Sequence, residues 1–507
     1  MKCTPIIYSC IALIIGIIIG AVAPPLLFIL MLITLGVFIY TVTALRKNDS
    51  LQSAAIMLLF ILCGAMLFQI ARDYPRRRSD WNIPEVSSAP VRVRILQPFV
   101  HSGYDRSYYC ARILPDTYLP KGFAGGKLLL SFRNTLLHNV NLGDIIILKT
   151  KIMPLSQDKN THAYWYTKMR LHRITGTCML NTPNDFLLSA RQNTAILHQV
   201  HQKMQNGLLY WLPPPYGALS TAILLGNHTS IPRGIEQEFL RAGSYHILVI
   251  SGLHIILTAA LIIVVLRRIG VGFKPSLIIS TGFLFIYLLI VGARPAVTRA
   301  VIMTAAGIFS IFFERDRNVL NALALAAVIL LIINPYALFD AGFQLSFIAT
   351  VGIIVITPFL LRLFSKLPPI ISEYLAIALA AQIGVVPLQL YYFSYVNPFN
   401  VFSVIAVMPL FSAAIFIGLI MCLLQFIMPF INFALSGFML IVLICIRMII
   451  RLFTALPIIT VADMPPWIIA VLYGIIGVTV YVFYWREEIQ QRKLVQTYYR
   501  FSPKDSA

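Results

Sequence analysis

The sequence predicts a polytopic α-helical membrane protein with a small extracytoplasmic β domain inserted after its first spans. Of its 507 residues, 59% are hydrophobic and only 12% are charged, whereas soluble domains carry about 25% charged residues. Apolar runs near the ~20 residues that cross a hydrocarbon core fill most of the chain. These runs stop between residues 72 and 185. The composition therefore excludes a soluble enzyme and a disordered chain.

The N-terminal part, residues 1–71, predicts three retained spans. Its apolar runs occupy residues 5–23, 26–44 and 52–71. No small-residue cleavage site follows the first run, so we do not interpret it as a removed signal peptide. Lys2 and the Arg46-Lys47 loop fall on one side of the membrane. The positive-inside rule makes that side cytoplasmic, so residue 72 emerges outside.

Residues 72–185 carry the alternation of half-buried strands, for example in Val91–Ile95 and Leu148–Ile152. Glycines and Asn141–Asp144 separate these segments as turns. Five strands in about 100 residues favour a small OB-like β-barrel, although a sandwich fits nearly as well. The five segments are Val91–Phe99, Arg106–Leu114, Lys127–Arg133, Asp144–Met153 and Lys168–Leu180.

This β domain is basic and contains many aromatic residues. Residues 72–200 hold 18 Lys and Arg against 8 Asp and Glu, and topology alone does not predict such a balance in an exported domain. Cations interleaved with rings are typical of single-stranded nucleic-acid sites, where cations neutralise phosphates and rings stack on bases. Alternatively, the rings form a barrel core and the charges a solvated face. The candidate contacts are Arg92, Arg94, Lys149, Lys151, Tyr164, Trp165, Lys168 and Arg170.

Only two of the seven cysteines, Cys110 and Cys178, lie in the predicted exported domain. Two thiols in an oxidising compartment permit one bridge, so we predict a Cys110–Cys178 disulfide. The chain contains no HExxH, CxxC or Walker A pattern and no GxGxxG after a strand. We therefore expect neither a metal site nor a cofactor.

The remainder of the chain divides into amphipathic helices, residues 186–245, and a second membrane region, residues 246–484. The amphipathic helices could lie on the membrane surface or brace the barrel, and Pro213-Pro214-Pro215 interrupts one apolar run among them. Nine further apolar runs bring the total to about 11–12 spans, with 399–431 counted as one span broken around Pro409. Alternation of charged and uncharged links predicts a cytoplasmic tail, residues 485–507.

The densest polar run in an apolar setting is His246–His254. On a helix Ser251 and His254 would share a face. They could form an intramembrane nucleophile–base dyad. Alternatively, Gly252 permits a kink whose freed backbone groups these side chains satisfy. No carboxylate is evident to orient the histidine, which disfavours the dyad.

Several other polar residues fall within or at the ends of the predicted spans. Ionisable groups in membranes usually face a cavity or a partner. Arg299 and Asp340 fall near the same predicted leaflet. Two interpretations therefore stand side by side: a structural ion pair, or a cationic lining for an anionic solute. The polar residues of this kind are Arg294, Arg299, Asp340, Gln344, Ser346, Gln382 and Gln389.

These segments resemble the ComEC-type competence proteins, the inner-membrane DNA-uptake channels. The resemblance covers nearly the whole chain in the family's order and spacing, and it includes Asn141–Asp144 and Tyr164–Leu171 of an OB-type domain. Asn227 stands where the family usually has Asp. The chain stops soon after its last predicted span, so we expect no metallo-β-lactamase-like hydrolase domain. The matching membrane segments are Leu225–Pro232, Phe239–Gly243, His246–His254, Gly292–Met303, Asp340–Ser346 and Gln382–Pro387.

The resemblance implies a multi-pass inner-membrane channel, and not an enzyme, that moves single-stranded DNA across the cytoplasmic membrane during natural transformation. It implies as partners single-stranded DNA, membrane lipids, an extracytoplasmic DNA receptor, a cytosolic helicase-like translocase and a separate nuclease. The alternatives are a carrier or exporter of another anionic solute and an intramembrane Ser-His hydrolase. The expected path or gating residues are Ser251, Gly252, His254, His246, Arg294, Arg299, Asp340, Gln344 and Gln382.

Overall fold

The structure is a computed structural model, and its contacts divide the chain into two compact units. The first comprises Met1–Ile231, Ile250–Phe343 and Gly418–Ser436, and the second Pro232–Val249, Gln344–Ile417 and Gly437–Ala507. The residues that the structure describes are 5–22, 58, 60–67, 91–100, 106–114, 126–133, 144–150, 152–154, 174–190, 196–227, 231–250, 252–292, 295–312, 319–461, 464–465 and 467–483.

The β domain is a seven-stranded sheet in the order β5-β6-β3-β2-β1-β4-β7. All neighbouring pairs are antiparallel except β3 and β6, which run parallel. Its strands are β1 Val91–Val100, β2 Arg106–Ile113, β3 Lys127–Arg133, β4 Ile145–Leu148, β5 Ile152–Pro154, β6 Ile174–Leu180 and β7 Phe186–Ala190.

The sheet curls into a half-barrel because β4 and β5 belong to one short stretch of chain. Only residues 149–151 separate them, yet β4 pairs with β1 and β5 pairs with β6. Alternate residues of the strands bury their side chains on the inner face of the curl. Its core includes Val93, Leu130, Phe132 and Cys178.

Two boundaries differ from the sequence prediction. The predicted fourth strand is split into β4 and β5, and β7 is an additional strand. The boundary predicted at residue 185 is therefore wrong by one strand, because 186–190 pairs with β4 and does not begin an amphipathic helix. Packing outweighs helical periodicity here, since the Phe186 ring lies edge-on to Phe132, with ring centroids 5.5 Å apart.

The predicted Cys110–Cys178 disulfide is wrong, and both thiols are free and buried. Cys110 faces Leu129 across the β2–β3 pair, whereas Cys178 faces Leu130 across the β3–β6 pair. Because consecutive residues of a strand point to opposite faces, the two thiols lie on opposite faces with β3 between their strands. Two strand spacings are about 9.5 Å, which exceeds the ~7 Å Cα separation that a disulfide bridges.

Apolar α-helices make up most of the remaining described chain. α1, Pro5–Val22, and the helical residues 60–67 precede the β domain, and a run of helices follows it. They are α2 Ile196–Trp211, α3 Tyr216–Leu225, α4 Arg233–Arg241, α5 Gly252–Arg268, α6 Phe273–Val291, α7 Pro295–Phe312, α8 Val319–Ile333, α9 Ala341–Leu363, α10 Pro369–Phe393, α11 Asn400–Ile427, α12 Asn432–Thr454 and α13 Trp467–Phe483.

Five helices within the described part of the chain are long and apolar enough to cross a membrane: α6, α9, α10, α11 and α12. Shorter apolar helices accompany them, including α3, α8 and α13. The architecture is thus helical and compatible with a polytopic membrane protein. α11 continues through Pro409 for 28 residues, so this stretch is one continuous helix and its expected break is absent.

Candidate functional site

Three of the predicted nucleic-acid contacts lie among the described residues of the β domain. Arg92 and Arg94 alternate with the buried Val91, Val93 and Ile95 of β1, so they point to the outer face of the sheet. Arg92 is exposed and Arg94 is half-buried. Lys149 is exposed just beyond the end of β4. The other candidates, Lys151, Tyr164, Trp165, Lys168 and Arg170, lie outside the described side chains.

In the first unit, the beginning of α5 lies beside a buried arginine of α7. Arg299 is only 7% exposed. A Cβ atom added to Gly252 would lie 3.9 Å from its Nη2 atom and 3.8 Å from the Cβ of Ala300. The start of this 17-residue helix therefore lies close to the guanidinium. Because a helix N-terminus carries partial positive charge, a cation there makes the local field strongly attractive to anions.

His254 is buried one turn into α5 and is 1% exposed. Its imidazole forms a hydrogen bond with the backbone of Ile223, at the end of α3. The Thr258 hydroxyl donates to the His254 carbonyl over 2.7 Å. His254 thus ties the first turns of α5 to α3. Ser251 and Arg294 lie outside the described residues, so the structure does not test the Ser251–His254 dyad.

Two predicted path residues at the start of α9, Asp340 and Gln344, form hydrogen bonds within the protein. The Phe343 backbone N–H donates to Asp340 Oδ2 over 3.1 Å, which makes Asp340 an N-terminal cap of α9. Gln344 accepts a hydrogen bond of 2.9 Å from the Tyr392 hydroxyl at the end of α10. Asp340 and Gln344 therefore each have a structural role.

In the second unit a buried network of neutral polar side chains joins the chain after α4 to α10 and α11. Ser244 lies 2.8 Å from the Ser403 hydroxyl and donates to Asn400 Oδ1 over 3.4 Å. Asn400 donates to Gln382 Oε1 over 3.1 Å, and Asn397 donates to the Arg241 carbonyl over 2.7 Å. The two serines and Asn397 are fully buried.

Sequence reasoning found only Gln382 of this buried polar network. The other members were not predicted because their side chains are neutral. They also come from segments 156 residues apart in the chain. The polar interruption Asn397-Pro-Phe-Asn400 between two apolar runs was the available signal. His246, predicted at the same segment, is exposed and forms a hydrogen bond with the Gly243 backbone.

The second unit also contains a charged cluster. Glu238 of α4 accepts hydrogen bonds from Arg447 over 3.0 and 3.2 Å and from Arg451 over 3.0 Å, both on α12. Partial burial acts to raise the pKa of the Glu238 carboxyl, but the two arginines outweigh it and hold that pKa below its usual value. The Tyr245 hydroxyl donates to the neighbouring Glu236.

Within the part of the chain that the structure describes, no three His, Cys, Asp or Glu side chains come together as metal ligands would. The polar features are instead exposed cations in the β domain, a buried arginine beside α5, and a neutral network with an ion-pair cluster in the second unit. These groups can bind or orient an anion or a chain of polar groups.

Part of this chain is similar in sequence to known proteins. Residues 223–487, about half of the chain, match the family described as Competence protein. The chain is 31% identical over 194 residues to "ComE operon protein 3" of Bacillus subtilis, covering 38% of this chain and 24% of that protein. It is 29% identical over 213 residues to an uncharacterized protein of Aquifex aeolicus, covering 42% of this chain and 49% of that protein. The matches thus span half or less of each relative's length. No solved structure matches.

Proposed function

Because the chain belongs to the competence protein family, we propose that it carries single-stranded DNA across the cytoplasmic membrane during natural transformation. The observation that carries the proposal is the extent of the family match. Residues 223–487 include the five long apolar helices of the part of the chain that the structure describes. The family match therefore covers the part of the chain with membrane-length helices, which supports a transport function. In this proposal the protein is a channel and not an enzyme.

The β domain is the first contact of the incoming strand in this proposal. The parallel β3–β6 pair, and a fourth barrel strand split into β4 and β5, support an OB-like arrangement. Exposed cations at Arg92 and Lys149 suit the phosphate backbone. The domain lies outside the cytoplasmic membrane, and both chain termini lie in the cytoplasm.

The membrane path then needs cations, because bare phosphates are prohibitively costly to bury in hydrocarbon. Arg299 is the buried cation that supports this step, and it lies next to the α5 N-terminus, which adds partial positive charge. Gly252 lies beside the guanidinium, and His254 fixes the first turns of α5. Arg294, His246 and Gln382 remain predicted path residues.

Transport in this proposal also involves partners. We propose an extracytoplasmic DNA receptor that delivers the strand and a cytosolic helicase-like translocase that draws it inward. We also propose a nuclease partner that degrades one strand during uptake. No cofactor enters this mechanism.

The experiment is to delete the gene and follow labelled DNA into the outer compartment and the cytosol. The expected result is DNA that reaches the outer compartment but never the cytosol, with transformants lost. Re-expression of the wild-type chain restores both readouts. Unchanged cytosolic DNA and transformant numbers would sink the proposal and leave a carrier of another anionic solute as the leading function.

A further inference from the structure

One side of α12 carries an exposed apolar row. Ile441, Met448 and Leu452 are 61%, 67% and 70% exposed, and their spacing of seven and then four residues places them on one stripe of the helix. α12 is long and apolar enough to cross a membrane. These three residues, here called the lipid row, therefore suit contact with acyl chains, which are as apolar as such side chains. The opposite stripe is fully buried at Leu443, Ile446 and Ile450.

Two arginines of α12 lie directly beside the lipid row. Arg447 precedes Met448 and Arg451 precedes Leu452, so each is about 100° around the helix from its apolar neighbour. At ~1.5 Å per residue the 23 residues of α12 extend about 34 Å, close to the ~30 Å hydrocarbon core of a bilayer. Arg451 lies three residues before the helix ends at Thr454. It therefore falls at the level of the polar head groups.

The cluster around these arginines keeps an excess positive charge. The arginines hold the pKa of Glu238 below its usual value, so its carboxylate is ionised at neutral pH. One carboxylate thus faces two guanidinium groups. Glu236, the other acidic residue of α4, is two positions away and so about 200° around that helix. It accepts a hydrogen bond from the Tyr245 hydroxyl instead.

The excess charge resides on Arg451. Arg447 donates to Glu238 through both Nε and Nη2 and is only 17% exposed. Arg451 donates to Glu238 through Nε alone and is 57% exposed. Among the contacts of the described residues, its two Nη groups have no further acceptor. Because Glu238 already fixes the guanidinium, binding of a ligand to those groups costs little additional ordering.

The acceptor that suits this arrangement joins an anionic oxygen to apolar chains. Guanidinium groups bind phosphates through strong charge-assisted hydrogen bonds. An anionic phospholipid presents its phosphate at the head-group level and its acyl chains directly below, where the lipid row begins. A nucleic-acid phosphate would satisfy Arg451 but would bring no acyl chain to Met448 and Leu452. The neighbourhood of Arg451 therefore favours the phospholipid.

We propose that Arg451 binds the phosphate of an anionic phospholipid whose acyl chains lie along Ile441, Met448 and Leu452. Glu238 and Arg447 position the Arg451 guanidinium for this contact. The inference goes beyond the proposed transport function and does not depend on what the protein carries.

The test uses native mass spectrometry of the full chain in detergent, titrated with phosphatidylglycerol and, separately, with phosphatidylcholine. The wild type should form its first adduct at a lower concentration of phosphatidylglycerol. Loss of one charge-assisted hydrogen bond should raise the Kd of R451Q for phosphatidylglycerol about tenfold, close to its Kd for phosphatidylcholine. R451Q should fold normally, because exposed ion pairs contribute little to stability.

Two further variants control the measurement. R112Q removes an exposed arginine of the β domain, away from the membrane helices, and should bind phosphatidylglycerol like the wild type. R451K keeps the charge without the guanidinium and should still prefer phosphatidylglycerol over phosphatidylcholine. It preserves the test if R451Q does not fold.

Four results would overturn the proposal. They are an R451Q affinity equal to that of the wild type, equal affinity of the wild type for the two lipids, and an equal loss of affinity in R112Q. The fourth is displacement of the phosphatidylglycerol adduct from the wild type by a thymidine oligonucleotide, because Arg451 would then prefer a nucleic-acid phosphate.

Discussion

At the scale of single residues, Glu238 shows how one carboxylate organises a cluster. Its two oxygens accept from Arg447 and Arg451, which are four residues apart on α12. Arg447 is 17% exposed and Glu238 20%, whereas Arg451 is 57% exposed. The bidentate bond to the less exposed Arg447 should therefore contribute most of the stability, because exposed pairs are worth little.

Replacing Glu238 with Gln should destabilise the protein at neutral pH by about 1.5–3 kcal/mol, since hydrogen bonds to charged groups contribute in this range. The two arginines hold the pKa of Glu238 below its usual 4.5. The stabilisation is thus complete above pH 4.5 and lost as pH falls toward the lowered pKa. Thermal unfolding of both proteins across this range measures the difference.

The control for this prediction is E373Q, which neutralises an exposed carboxylate on α10. It should unfold like the wild type at every pH. An E238Q difference that stays constant down to acid pH would show that the carboxylate charge is not what stabilises the cluster.

At the scale of elements, α9 and α10 pack closely because glycines lie where they cross. A Cβ atom added to Gly352 would lie 2.8 Å from the Ala380 carbonyl oxygen, and one added to Gly384 would lie 3.1 Å from that of Ile348. Small residues allow such approach between membrane helices, where packing replaces the hydrophobic driving force. The buried Ala376 and Ala380 extend this surface toward Ile356 and Leu360.

The G352A variant should lower stability by about 1–3 kcal/mol, because the methyl group meets backbone that cannot move aside independently. In G437A the added methyl meets nothing within 4 Å. That change should be neutral or stabilising, since Ala is the better helix former by about 1 kcal/mol. Thermal unfolding in detergent compares them, and equal behaviour of the two variants would contradict the close crossing.

At the scale of the whole molecule, the chain separates a β domain from a membrane region. The family match begins at residue 223, beyond the last strand of the β domain. A formal net charge of +21 suits a polyanionic substrate, although cytoplasmic loops also account for part of it. Transport is therefore best tested with the full chain and with a residue of its membrane region.

Arg299 provides that test. The R299Q variant should insert at normal abundance but lose transformants and leave labelled DNA outside the cytosol, because the buried cation is gone. R299K keeps a charge and should retain more transport. S310A, on the same helix, removes only a hydroxyl bonded to the Ala306 carbonyl and should transform normally. Full transport by R299Q would remove Arg299 from the path.

The local pattern of polar and apolar residues was sufficient to predict much of this fold. Alternation identified the positions of β1, β2 and β3 within a residue or two, and span-length apolar runs match the five long helices. Motif order also predicted the family. These features depend on neighbours in the chain, so composition and periodicity reveal them.

The sequence by itself determined the class of protein, its membrane helices and its family, whereas tertiary structure decided which side chains meet. Register placed Cys110 and Cys178 on opposite faces and aligned Arg94 with Arg112. Folding also joined Ser244 to Ser403, although 159 residues separate them. Such pairings depend on strand order and on contacts between distant segments. Local periodicity says only which face of its own element a side chain occupies.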